Sequence, residues 1–116
     1  MRFINLLRQD VRIIPYEASK SELVIPSSGF AFLNERTSHE IVHDAVFGDV
    51  PVSVVTQEVV SMPDPQEDVS YIVSWKVLQA MRAQGYDVSD VYCPDTSVRA
   101  DRGMIIGSRA LVRYKQ

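Results

Sequence analysis

Between Phe3 and Leu33 the apolar residues come in short runs, broken every few positions by turn formers. Phe3 to Leu7 and Val11 to Ile14, the second stopped by Pro15, predict strands, and Ser21 to Ile25 predicts a third. Pro26-Ser27-Ser28-Gly29 combines a preset φ, hydroxyl acceptors and a residue free to take positive φ, so the chain turns there. Phe30 to Leu33 is too short for a helix and suits a pleated, half-buried surface, which predicts another strand. Val50 to Val60 is the strongest strand signal, because its β-branched residues lose χ1 freedom in a helix. Gly48-Asp49 ahead of it predicts a hairpin connection. The stretch before that, residues 36–47, fits either a short helix capped by Ser38 or one arm of the hairpin. Met62 to Asp68, broken by Pro63 and Pro65, reads as a surface loop.

The period changes after Tyr71-Ile72-Val73. Trp75, Val77, Leu78, Ala80 and Met81 fall on one side of a helical projection, with Lys76, Gln79, Arg82 and Gln84 on the other. Ser74 is placed to cap this helix and Gly85 to end it in the left-handed conformation, which gives a main helix over about 74–84. Val91 to Pro94 then predicts a strand, Asp95 to Gly103 a loop, and Met104 to Tyr114 two strands joined or bent at Gly107. Many strands and a single helix predict an α+β fold: a mostly antiparallel twisted sheet with the helix packed on one face, in a single domain spanning residues 1–116.

Composition narrows the function classes. A chain of 116 residues with 46% hydrophobic positions can bury a core without disulfides, and its one cysteine, Cys93, excludes a disulfide framework. Twelve basic and fifteen acidic residues give a net charge of -3 with no dominant block of either sign, which argues against direct nucleic-acid binding and against a membrane surface. No apolar run approaches the ~18 residues of a membrane span and no basic leader follows Met1, so a cytoplasmic protein is expected. Cys93 has neither histidine near it in sequence and reads as a small buried hydrophobe, and the glycines form no phosphate-cradling pattern.

His39-Glu40-Ile41-Val42-His43 is a literal His-Glu-x-x-His, in which two imidazoles bind zinc and the glutamate acts as general base. That chemistry needs a helix, because residues i and i+4 of a strand lie about 13 Å apart at roughly 3.3 Å per residue. It also needs a third protein ligand, and with no third histidine only Glu58, Asp64, Glu67 or Cys93 remain, none carrying a signature. The zinc hydrolase is therefore the third reading, behind two that require no metal or cofactor and no enzymatic step.

The segment from Pro94 to Gly103 gathers hydroxyls, carboxylates and guanidiniums. Arg99 offers a fork matched to phosphate, Thr96 and Ser97 offer hydroxyl donors, and Asp95 an acceptor for a ribose or base. The structural alternative is an Asx-type turn at Asp95-Thr96-Ser97 and a hairpin turn at Asp101-Arg102-Gly103. Ser74 is equally explained by capping and Tyr71 by packing.

Ile4-Asn5-Leu6, Pro26-Ser27-Ser28-Gly29, Met62-Pro63-Asp64-Pro65, Tyr71-Ile72-Val73-Ser74, Pro94-Asp95-Thr96, Val98-Arg99 and Ile105-Ile106-Gly107 occur in an order that resembles a family of short bacterial and phage proteins with no known activity. Members of that family open Ile-Asn-Leu-Thr-Pro-His; here Leu7-Arg8-Gln9 stands in place of the last three, so no role passes to them. The resemblance implies a phage or prophage origin, action in the host cytoplasm, and action by binding. Two readings follow. In the first, the protein sequesters a small anionic ligand such as a nucleotide signal, held by Tyr71, Ser74, Asp95, Thr96, Ser97, Arg99 and Arg109, in a chain that can form a homo-oligomer. In the second, it inhibits a host defence protein through an acidic face of Asp44, Asp49, Asp64, Glu67 and Asp68.

Overall fold

The computed structural model describes residues 1–17 and 19–115. Strands β1 (Arg2–Asn5), β2 (Val11–Ile13), β3 (Leu23–Ile25), β4 (Phe32–Asp44), β5 (Gly48–Val60) and β6 (Val69–Ile72) precede helix α1 (Trp75–Ala83), and β7 (Val91–Arg99) and β8 (Ile105–Val112) follow it. Six strands form one sheet in the order β1-β6-β7-β8-β2-β3, and β4 and β5 form a separate two-stranded ribbon.

This overturns the expected α+β class. Of the described residues 51% are in strands and 8% in helix, a mostly-β fold whose larger sheet curls into a nearly closed barrel with a hairpin attached. The physical reason lies in residues 32–60. Phe32 and Leu33, the undecided stretch as far as Asp44, and the β-branched run lie in two strands of 13 residues each, paired in unbroken register from Phe32↔Val60 to Asp44↔Gly48. The connection is Ala45-Val46-Phe47, not Gly48-Asp49, and Gly48 enters β5 with a φ of 81°. Pairing is mixed rather than uniformly antiparallel: β2 with β3, β4 with β5 and β7 with β8 run antiparallel, whereas β1 with β6, β6 with β7, and β2 with β8 run parallel.

Beyond Asn5 and Ile25 the outer strands of the larger sheet approach each other. Asn5 bridges to Ser27, the Ser28 amide donates to the Asn5 carbonyl at 2.8 Å, and the Ala31 amide donates to the Leu6 carbonyl at 3.0 Å. The predicted helix is present with its predicted ends. Ser74 accepts from the Val77 amide, and past the helix the Tyr86 amide donates to the Met81 carbonyl and that of Gly85, at a φ of 86°, to the Arg82 carbonyl, a Schellman closure. Val77, Leu78, Ala80 and Met81 are buried against Leu6, Tyr71, Val73, Val88, Val91 and Cys93. Trp75, expected on that face, is instead half-exposed and stacks on Tyr114 at 5.7 Å. A nine-residue helix thus plugs the core rather than forming a layer.

The ribbon projects. The radius of gyration is 18.6 Å and the molecule measures 65 × 40 × 25 Å, whereas a compact chain of ~100 residues has a radius of about 13 Å. Leu33 and Val59 pack against the core cluster. Farther out, Ile41, Val42, Val46, Phe47, Val50 and Val55 are exposed, with Phe47 at 85%.

Candidate functional site

Strand β7 runs to Arg99, so most of the segment expected as a binding loop is a paired edge of β8, with Asp95 opposite Ala110 and Ser97 opposite Ser108. Thr96, between them, holds a φ of 54°, a left-handed conformation in the middle of a strand. The guanidinium of Arg99 donates to the Gly103 carbonyl at 2.7 Å and so braces the turn into β8. Arg109 donates to the carbonyls of Ile14 at 3.2 Å and Pro15 at 2.8 Å and lies 4.5 Å over the Tyr16 ring, so it fastens the segment after β2. Tyr71 is buried, with its hydroxyl donating to the Asp64 carbonyl at 3.1 Å, which ties the loop of residues 61–68 to the core. Ser74 caps α1. Of the expected ligand set, Ser97 alone lines the cavity beside β2.

That cavity, about 420 Å³, opens between β2, β3 and the β7–β8 pair. Its walls are Leu7, Val11, Val24, Pro94, Ile105 and Ile106, and its polar groups come from Gln9, Asp10, Arg12, Ser97 and Ser108. Asp10 accepts from the Ser27 amide at 3.0 Å. Arg12 is exposed and only loosely paired, its Nε lying 3.7 Å from a Glu22 carboxylate oxygen. This is the cation that sequence reasoning missed. Nothing marked it, since its place at the mouth of a cavity arises from the parallel pairing of β2 with β8 across most of the chain.

The His39 and His43 motif lies in β4, which removes its zinc chemistry. Both rings share one face of the ribbon at the strand spacing of about 13 Å, and Glu40, opposite Val52, faces the other way. His39 meets the Ser53 hydroxyl at 3.3 Å and His43 the Asp49 carboxylate at 2.9 Å. No cluster of three metal-ligating side chains occurs among the described residues.

The acidic residues do not assemble into one face either. Asp44 and Asp49 sit at the ribbon tip, while Asp64, Glu67 and Asp68 follow the far end of β5, a strand of 13 residues and hence about 40 Å away at roughly 3.3 Å per residue. Asp44 organises the tip, its carboxylate accepting from the Val46 and Phe47 amides at 2.8 Å each. The bond from Phe47, then that from Val46, hold its carboxyl below the ordinary aspartate range. No helix is long and apolar enough to cross a membrane among the described residues. No family model, no curated protein and no solved structure matches the chain.

Proposed function

We propose that the protein is a non-enzymatic binding protein that holds a small phosphate-bearing molecule, such as a nucleotide, in the cavity between β2, β3 and the β7–β8 pair. The observation that carries this reading is the pairing of a loosely held Arg12 with a cavity of about 420 Å³, within the range of roughly 300–1,000 Å³ usual for small-molecule sites. Arg12 supplies a planar fork for phosphate, Ser97, Ser108 and Gln9 supply hydroxyl and amide partners, and Leu7, Val24, Ile105 and Ile106 give apolar surface for a base or ribose. The resemblance to phage proteins implies a counter-defence setting, in which holding a nucleotide signal without turning it over is sufficient.

The test is thermal unfolding of the protein against a panel of mono-, di- and cyclic nucleotides, repeated with Arg12→Glu. Binding predicts a rise in melting temperature with at least one nucleotide, lost in the variant. A flat response across the panel, or a rise that Arg12→Glu leaves intact, refutes this site.

A further inference from the structure

Among the described residues no further strand pairs with either edge of the β4–β5 ribbon, and the two edges differ. Pro51 carries no N–H, so the Ile41↔Pro51 pair fits the continuous ladder only as a non-hydrogen-bonded pair, with the proline nitrogen turned outward. The outer edge of β5 therefore has a gap in its donors. Alternation then fixes the other edge: Glu35, Thr37, His39, Ile41 and His43 turn their N–H and C=O groups outward from β4, and no proline interrupts that row. Among the described residues no strand pairs with it. An isolated two-stranded ribbon is marginal in water, and this one displays exposed β-branched residues along its length.

The charges on β4 say which strand fits. Arg36 and Glu40 flank Ser38 at equal distance on one face of the ribbon. When two β4 strands run antiparallel with Ser38 opposite Ser38, Arg36 of each copy lies opposite Glu40 of the other, twice over, by symmetry. That alignment also makes Thr37 and His39, and Glu35 and Ile41, the hydrogen-bonded pairs, so the outward-facing backbone groups meet each other. Arg36 and Glu40 then occupy non-hydrogen-bonded pairs, where side chains come closest.

We propose that the free edge of β4 is the docking site for β4 of a second copy of this chain, giving a two-fold symmetric dimer with a continuous four-stranded sheet centred on Ser38. The contact is isologous, so it closes at two copies. It is independent of the ligand cavity, so failure of one proposal leaves the other standing.

Sedimentation of the purified chain, with three variants, tests it. The wild type is expected as a dimer at micromolar concentration. Arg36→Glu and Glu40→Arg each place like charges opposite one another and weaken dimerisation by about tenfold or more. The double swap re-forms both pairs and restores the dimer, an outcome that a merely misfolded single variant does not produce. Ser38→Cys is expected to form a disulfide-linked dimer under mild oxidation, with the buried Cys93 taking no part. A monomeric wild type overturns the proposal. So does a dimer that ignores the charge swaps and gives no Ser38→Cys cross-link.

Discussion

The side-chain amide of Asn5 donates to the carbonyl of Ile25 at 2.9 Å, joining the first and last strands of the six-stranded sheet. Asn5 is fully buried, and its remaining capacity is used nearby: it donates to the Gln9 carbonyl at 3.0 Å and accepts from the Leu7 amide at 2.9 Å. One amide thus reinforces the barrel seam where backbone pairing is sparse, the Asn5↔Ser27 bridge and the bond from Ala31 to Leu6. Asn5→Ala leaves two carbonyls and one amide without that partner, and about 2–4 kcal/mol of stability should be lost. Asn5→Asp should be no better at neutral pH, because a carboxylate has nothing to donate to two carbonyls. Urea unfolding of the three proteins measures both.

Gly107 marks the second tight place. A Cβ there would meet Ile14 Cδ1 at 2.8 Å and the Arg12 carbonyl oxygen at 2.9 Å, so the glycine lets β8 pass against β2 beside the cavity. Gly107→Ala should cost about 1–3 kcal/mol, as overpacking does. Trimming Ile14 to Val in the same chain removes Cδ1 but not the backbone oxygen, so the melting temperature should stay low. Full recovery in that double variant would show that side-chain crowding alone fixes the glycine.

Local rules carried the sequence reading where structure is local and failed where it is not. Ser74, the apolar face of Val77 to Met81 and Gly85 specify a helix within a few turns of chain, and that helix is present with those ends. Residues 36–47 carry a candidate cap at Ser38 but nothing that decides between helix and strand. Their strand state depends on pairing with residues 48–56, which a single-strand pattern does not contain. The hydroxyls and the guanidinium of residues 95–99 read as a loop because polar composition is shared by loops and exposed strands, and only the pairing with β8 distinguishes them. Asn5 and Arg12 were invisible as special residues for the same reason: each acquires its role from a strand distant in sequence.

Cys93 should be inert in the folded protein. It is buried at 1% exposure, and desolvation, helped by the Asp95 charge, pushes its thiol up to about 11 from 9.0. The neutral thiol is the form the fold accepts. Its contribution to stability is therefore complete below the unfolded value near 9 and declines as pH rises from there toward 11, because the unfolded chain ionises first. An aromatic disulfide reagent at pH 8 should react with Cys93 only at the rate of global unfolding, measured by the release of coloured thiolate with and without urea. Rapid reaction without urea would place the thiol at an accessible surface.

Arg12, Arg99 and Arg109 should separate cleanly into binding and structural classes. Arg12 is exposed and its ion pair with Glu22 is long, so Arg12→Glu should leave stability within about 0.5 kcal/mol while abolishing any nucleotide-induced rise in melting temperature. Arg99 already donates to Gly103, so Arg99→Glu should loosen the β7–β8 turn and leave the nucleotide response in place. Arg109 holds the Ile14 and Pro15 carbonyls and covers Tyr16, so Arg109→Ala should lower stability by about 1–3 kcal/mol with the response retained. Paired melts of each variant with and without nucleotide measure both quantities at once. Loss of the response in Arg99→Glu with Arg12→Glu unaffected would return the binding site to the residues 95–99 that the sequence first suggested.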